Sequence, residues 1–334
     1  MKSDLRPTRR ACAAVAIASW AAWAACILPP AAQAQTFPTK PVQLVVPFPP
    51  GGAVDIVARL ISKKLGEHLG QPIVIENKGG AGTIVGASFV ANAPADGYTL
   101  LISSGSTFTV NPALNPKLPY DPVKSYEPIG MVARVPLILL AHKDVPVANL
   151  KQLTAAVQAT PDKYVYGSFG NGTTGHFAGE LMWSALGIKV THIPYKGSAP
   201  AMNDLIGGQI PLSVDTVAAA LPQLKGGKIK AIAVTGATRA TQLPDVPTVA
   251  EGGYPGFSAD SWLAIVAPRG TPAEAKTKLQ KALSETLADP EVRSKLVASG
   301  LEHAYESAAA VAARIDDELP RMRAIAQRAN IRAE

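Results

Sequence analysis

Val42-Gln43-Leu44-Val45-Val46-Pro47-Phe48-Pro49-Pro50-Gly51-Gly52-Ala53-Val54-Asp55 joins a strand-forming run to the start of a helix through a loop of Pro and Gly. The first five residues read as a strand. From 54 to 69 the spacing predicts a helix, with Val57, Ile61 and Leu65 on one face and Arg59, Lys63 and Lys64 opposite. This order puts Gly51-Gly52 at the carboxyl end of a strand, the place where parallel α/β sheets gather their ligands.

The same alternation continues outward. A strand is expected at 73–75. Gly79-Gly80-Ala81-Gly82 leads into a helix at 84–91, and a third strand at 99–102 ends in Ser103-Ser104. Strand and helix in turn argue for parallel-rich sheets with flanking helices on both faces. Between 111 and 128 stand Pro112, Pro116, Pro119, Pro122 and Pro128, which neither a helix nor a central strand would hold, so this stretch reads as a rigid surface connection. An apolar run at 129–141, interrupted by Pro136, is a candidate crossing between two bodies. A second series follows, with strands at 164–166, 190–193, 210–214 and 229–234 and helices at 176–186, 199–206 and up to 225. The turn-rich stretch 243–256 leads to a return crossing at 261–267, and the chain from 271 reads as helical with a break at Pro290. The expected organisation is two α/β lobes joined by two crossing strands. Lobe 1 is 35–133 with 260–334, and lobe 2 is 134–259.

The chain has 334 residues, of which 47 % are hydrophobic and 17 % charged, with 28 Gly and 29 Pro, a globular composition. Of its formal charge of +7, Lys2, Arg6, Arg9 and Arg10 against Asp4 account for +3. The remaining balance is modest, and no Lys/Arg tract exceeds two residues, so nucleic acid is not an expected partner. Residues 1–34 read as a secretory signal peptide: a basic start, an uncharged stretch at 11–28, and Ala32-Gln33-Ala34 before a cleavage at Gln35. The stretch is near spanning length, but it is Ala-rich rather than Leu-rich, which favours a signal over an anchor. Arg9-Arg10 lacks the apolar residues that follow a twin-arginine pair, and Trp23-Ala24-Ala25 before Cys26 matches a lipidation box poorly. Cys12 and Cys26 both lie here, so the mature chain is expected to have neither disulfide nor thiol chemistry.

Candidate catalytic groups are few. His68, His142, His176, His192 and His303 form no H-E-x-x-H pair, and neither a G-x-S-x-G elbow nor a G-x-x-x-x-G-K-[ST] loop is present, so no metal or cofactor is expected. Gly80-Ala81-Gly82-Thr83-Ile84-Val85-Gly86 has three residues where a dinucleotide fingerprint has two, and reads better as a strand-to-helix turn. Ser103, Ser104 and Ser106 with His176 as base would make a hydrolase. The alternative is that these hydroxyls bind a ligand or cap a helix, and nothing in the sequence places a histidine beside them.

The glycines point to binding. Gly51-Gly52-Ala53-Val54, Gly170-Asn171-Gly172-Thr173-Thr174-Gly175 and Gly197-Ser198 each follow a strand and open a helix. Free N–H groups and the positive end of the helix dipole make such loops seats for an anion, and hydroxyls add donors without charge. The same glycines also serve any tight turn. Two facing seats suit a small molecule carrying one or two carboxylates. Asp55 either favours its helix dipole or also accepts from a ligand, and Asp215 invites the same split. Tyr195 and Lys196 form a cleft wall or lie on the surface. His176 donates to a ligand or starts its helix, and Trp262 reads as packing.

Pro47-Phe48-Pro49-Pro50-Gly51-Gly52-Ala53-Val54-Asp55 with Ala58-Arg59 resembles the opening motif of the Bug receptors, extracytoplasmic solute-binding proteins of tripartite tricarboxylate transporters. The likeness runs on through Glu76-Asn77-Lys78-Gly79-Gly80-Ala81-Gly82, Asp96-Gly97-Tyr98-Thr99-Leu100-Leu101, Asn111-Pro112-Ala113-Leu114 and Leu118-Pro119-Tyr120-Asp121-Pro122. It continues through Gly170-Asn171-Gly172-Thr173, His192-Ile193-Pro194-Tyr195-Lys196-Gly197 and Leu243-Pro244-Asp245-Val246-Pro247-Thr248. The resemblance implies a two-lobed periplasmic binding protein of the type II-like, Venus flytrap fold, without enzymatic activity. It implies a periplasmic protein that holds a carboxylate between its lobes and delivers it to membrane permease subunits; a monomer is expected. A sensor that presents its ligand to a signalling partner is the neighbouring alternative. Residue by residue, the resemblance places one carboxylate at Phe48, Gly51, Gly52 and Asp55, partly through ordered water. It places the opposing seat at Asn171, Gly172, Thr173 and Thr174, with Ser104 and Thr107 on the first wall and Asp215 on the second. Pro49-Pro50, Thr173-Thr174 and the missing aromatic before Asp215 depart from the usual pattern and bear on ligand identity, not on the fold.

Overall fold

A computed structural model describes residues 37–332, so the signal-peptide reading of 1–34 and both cysteines lie outside the described residues. The chain divides into Met1–Thr39 and Lys40–Glu334, and the second unit carries the fold described below. Its first strand, β1 (Val42–Val46), lies between two parallel neighbours, β2 (Ile73–Asn77) and β3 (Thr99–Ser104). Helix α1 (Ala53–Leu69) buries Val57, Ile61 and Leu65 as its spacing requires, and ends where Gly70 turns left-handed at φ 73°. Helix α2 (Ile84–Ala91) precedes β3.

After β3 the backbone makes a π-type turn at Ser106–Val110 and one helical turn, α3 (Asn111–Leu114). The expected surface connection is thus partly interior. Asn111, Pro112 and Tyr120 are buried, and the Tyr120 hydroxyl donates to the Thr107 carbonyl at 3.0 Å. Pro128 also departs from expectation, because it lies inside β4 (Tyr126–Val135), between two strands. It is tolerated there because the outer neighbour, β11 (Glu302–Ser307), pairs with β4 only from Gly130 to Arg134, and because a register shift on the inner neighbour falls at Ile265/Val266, opposite Pro128.

The apolar run around Pro136 is two strands in two sheets. β4 ends at Val135, and β5 (Leu137–His142) begins in the second sheet. That sheet is completed by β6 (Val165–Ser168), β7 (Thr191–Pro194), β8 (Leu212–Thr216) and β9 (Ile229–Val234), in the order β7-β6-β8-β5-β9. Its helices are α4 (Leu150–Ala159), α5 (Thr174–Leu186), α6 (Ser198–Ile206) and α7 (Val217–Lys225). The expected return crossing, β10 (Ser261–Pro268), lies wholly in the first sheet, whose order is β11-β4-β10-β3-β1-β2. The chain between Thr235 and Asp260 makes the return instead. Thr235 donates its N–H to Leu137 and accepts that of Ala259, while Arg134 pairs with Asp260 at 2.5 Å, so the two crossings are tied side by side.

Helices α8 (Ala273–Ala288), α9 (Pro290–Ala298) and α10 (Ala308–Arg328) close the first lobe, with α8 and α9 packed on α1. Strand β11 interrupts what the sequence reads as helix. It is a short, charged, half-exposed edge strand with little alternation to betray it. Each sheet has its own core. Phe108, Tyr126, Met131, Trp262 and Val311 pack in the first, and Ile138, Leu140, Leu205, Val217 and Val234 in the second. Trp262 stacks on Phe108 at 5.6 Å and 9°, worth about 1 kcal/mol beyond its burial, and donates to Glu318 at 2.8 Å. Packing is its role. The parallel strands β1, β3, β6 and β7 present their carboxyl ends to the space between the lobes, while the antiparallel strands carry the crossings.

Candidate functional site

The loop after β1 is shaped by Asp55 from the first turn of α1. Gly51 sits at φ +96° and donates its N–H to Asp55 Oδ2 at 3.0 Å. Asn77 donates to Asp55 Oδ1 at 3.0 Å and to the Phe48 carbonyl at 3.1 Å, and Arg59 binds both carboxylate oxygens at 3.0 and 2.9 Å. Burial pushes this carboxyl up, but the bonds from Arg59, Asn77 and Gly51 together hold it below the ordinary carboxylate value. Asp55 is fully engaged inside the loop. It shapes the seat from behind.

On the same lobe Ser104 is buried and accepts the Ser106 N–H at 3.2 Å. Thr107 turns inward, bonded to Ser103 at 2.6 Å and Thr83 at 2.8 Å. Ser106 reaches across instead, its hydroxyl accepting the Thr174 N–H of the second lobe at 3.0 Å. Among the described residues, the hydrogen bonds of Ser103, Ser104 and Ser106 go to hydroxyls and backbone rather than to His176, the base the sequence offered for them.

In the second lobe the loop after β6 uses Gly170 and Gly172 at φ 142° and 69°. Thr173 caps α5, donating to the Gly170 carbonyl at 2.6 Å and accepting from His176 N–H at 3.4 Å. His176 is buried and starts the helix. Its Nδ1 accepts the Gly172 N–H at 3.3 Å, and its ring stacks on His192 at 4.2 Å. Burial pushes His176 down to about 4; burial and the neighbouring His176 push His192 down to about 3. Asp215, fully buried at the end of β8, accepts the Ser198 hydroxyl at 2.8 Å and the Thr216 N–H at 2.7 Å on one oxygen. Burial raises it to about 6.

Two of the cavities between the lobes adjoin the β1 and β6 loops. An outer cleft of about 730 Å³ includes Phe48, Asn171, Tyr195 and Lys196 in its walls. Tyr195 donates to Asp204 at 2.7 Å, and burial, then the bond to Asp204, raise it to about 12. An inner pocket of about 30 Å³ brings together Phe48, Gly52, Ser104 and Thr174. Phe48, Pro49 and Phe169 belong to both walls and so divide the two spaces. Gly51, Asp55, Thr107, Gly172, Thr173 and Asp215 line neither; they hold the residues that do. Ser198 and Thr216 line the inner pocket. The sequence marks Gly197-Ser198 as a strand-end loop without singling out the hydroxyl, and nothing in it signals Thr216. Among the described residues no arginine, lysine or histidine lines the inner pocket, so its polar chemistry is that of hydroxyls and backbone.

The sequence profile described as "Tripartite tricarboxylate transporter family receptor" matches residues 57–331. The chain belongs to that receptor family. Solved structures agree with this. The chain is 38 % identical to the periplasmic binding protein BugD over 89 % of its own length and 100 % of that chain, at a TM-score of 0.85. To Rpa4515 of R. palustris, solved with adipate, it is also 38 % identical, over 88 % of this chain and 98 % of that one, at a TM-score of 0.85. To MatC of Rhodopseudomonas palustris, solved with malate, it is 34 % identical over 86 % of this chain and 99 % of that one, at 0.81. The protein is a solute-binding receptor of this family, with the two-lobed periplasmic binding protein fold expected of it.

Proposed function

We propose that this receptor captures a small carboxylate between its lobes and delivers it, as a periplasmic monomer, to the membrane subunits of a tripartite tricarboxylate transporter. The observation that carries this reading is the inner pocket. Gly52 and Ser104 from one lobe face Thr174, Ser198 and Thr216 from the other, a set of neutral donors and acceptors at strand ends and helix starts. The adipate and malate bound by Rpa4515 and MatC support the carboxylate class. The role proposed for Phe48 and Gly52 is to seat one carboxylate on a loop that Gly51 and Asp55 shape from behind, and for Asn171 to Thr174 to face it, with Ser104 on the first wall and Thr107 behind it, Asp215 behind the second and Tyr195 at the outer rim. The lobes are taken as 35–133 with 260–334, and 134–259. Residues 1–34 are taken as the export signal, which sequencing the mature amino terminus checks.

An inner pocket of about 30 Å³ is far below the roughly 300 Å³ of an ordinary ligand site, so access requires the lobes to part. Thermal unfolding of the mature chain against a panel of small carboxylates tests the function. A ligand that binds only the folded state stabilises it by about 2.7 kcal/mol at a hundred times its Kd. A selective rise in Tm with one acid supports the receptor reading. A flat response to every acid, in protein shown by mass spectrometry to carry none, removes it.

A further inference from the structure

The two walls of the inner pocket differ in which end of the hydrogen bond they offer. On the second lobe the Ser198 hydroxyl donates to Asp215 Oδ1 at 2.8 Å, and Thr216 donates to the same oxygen from its N–H at 2.7 Å and its hydroxyl at 3.3 Å. A hydroxyl has one proton to give. With those protons directed at Asp215, what Ser198 and Thr216 turn to the pocket is lone pairs. The Thr216 oxygen already accepts the Ala219 N–H at 3.2 Å, which leaves Ser198 as the freer acceptor. On the first lobe the order is reversed. Ser104 accepts the Ser106 N–H at 3.2 Å and keeps its proton free to donate.

The arrangement is built in rather than imposed by closure. Ser198 is the first residue of α6, and Asp215 and Thr216 end β8, so all three belong to one lobe and move together. Asp215 is fully buried, and its Oδ2 has no hydrogen-bond partner among the described residues. A proton taken up by Asp215 therefore goes to Oδ2 and leaves Oδ1 an acceptor. The Ser198 oxygen also faces the β1–α1 loop closely, lying 3.5 Å from where a Cβ on Gly52 would stand. A substituent on the carbon next to a carboxylate seated at that loop comes within its reach.

We propose that Ser198, oriented by Asp215, is a specificity determinant that accepts a hydrogen bond from a hydroxyl or ammonium group beside the bound carboxylate. The receptor then favours 2-hydroxy or 2-amino acids over unsubstituted acids of the same length. A second carboxylate oxygen at this point would meet lone pairs and be repelled. The assignment rests on the carboxylate-receptor reading above.

Titration calorimetry on the mature chain with matched acids tests it: succinate against malate and aspartate, glutarate against 2-hydroxyglutarate and glutamate, phenylacetate against mandelate. The substituted member of the best-bound set binds about tenfold tighter, the upper range for one well-made hydrogen bond. Ser198→Ala brings the members of that set to similar affinity. Asp215→Asn keeps an acceptor oxygen for Ser198 and keeps the preference, whereas Asp215→Leu frees the serine proton and turns the preference toward the unsubstituted acid. If Asp215→Leu does not fold, as circular dichroism shows, Ser198→Ala and Asp215→Asn decide the matter. An unsubstituted acid that binds as tightly as its partners in the parent chain, or a preference that survives Ser198→Ala, overturns the assignment. Binding of none of these acids overturns the carboxylate-receptor reading itself, and the assignment with it.

Discussion

The rings of Phe48 and Phe169 meet edge-on from opposite lobes, their centroids 6.1 Å apart and their planes at 72°. Both rings line the outer cleft and the inner pocket, so the pair stands where the two spaces adjoin. Phe48 belongs to the loop after β1 and Phe169 to the loop after β6. The contact therefore exists only while the lobes are together, alongside the Thr174–Ser106 hydrogen bond.

Replacing Phe169 with Ala removes this partition while leaving both sheets intact. An aromatic pair of this geometry contributes about 1 kcal/mol beyond its buried area. Ligand release should accelerate about fivefold, with a smaller change in association. Stopped-flow release kinetics read this directly, and an unaltered release rate would separate the pair from the opening motion.

Asp55 is expected to matter for stability before it matters for ligand contact. It holds Gly51, Asn77 and Arg59 at once. Asp55→Ala leaves the Gly51 N–H and the Asn77 amide without their acceptor, at a cost of about 2 kcal/mol. Urea unfolding should show that loss in the ligand-free chain. If only affinity falls and the unfolding midpoint stays put, Asp55 is a direct ligand contact after all.

How much of this was legible beforehand depends on which residues carried a pattern. β1, α2 and β9 fall where the sequence puts them because each is a dense apolar run between polar or turn-forming residues. β11 is a polar edge strand whose pairing comes from β4, a partner more than a hundred residues away, so local periodicity is silent about it. Pro128 misleads for a related reason: a proline is excluded from a fully paired strand, and the sequence cannot say that β11 stops short of it. In the site, Gly52, Ser104 and Thr174 were reachable because strand-end loops are recognisable. The inward turn of Thr107 and the engagement of Asp55 depend on side-chain directions that spacing does not encode.

Gly82 tests closure itself. A Cβ there would lie 2.1 Å from the Asn171 carbonyl oxygen of the other lobe, an approach real Cβ atoms do not make. Gly82→Ala therefore obstructs the closed arrangement specifically, and affinity for any ligand should fall tenfold or more, by the order of 1.4 kcal/mol per factor of ten. Gly70 is the control. It is also left-handed, at φ +73°, but has open space around it. Gly70→Ala should cost about 1 kcal/mol of stability and leave affinity alone. Equal affinity losses in the two variants would point to general destabilisation rather than blocked closure.

The stack of buried His176 on half-buried His192 makes the second lobe acid-sensitive, with a sign that can be worked out. His176 and His192 are pushed down to about 4 and about 3, from an ordinary value of 6.5. Between pH 6.5 and about 4 the unfolded chain takes up protons at both rings while the folded chain does not, so stability falls as the pH falls. At about 1.4 kcal/mol per unit, His176 alone removes on the order of 3 kcal/mol across this window. Asp215 acts the other way. Raised to about 6 from 3.8, it holds a proton in the folded chain that the unfolded chain has released, so stability rises as the pH falls through 6. One group opposes two, and the net is a loss. Asp215→Asn cannot supply the opposing gain, and its stability should drop more steeply from pH 6.5 to 4 than that of the parent chain. Urea melts at half-unit steps measure both slopes, and a parent chain whose stability is level or rises as the pH falls over this range would mean that the rings are depressed by no more than the Asp215 gain offsets.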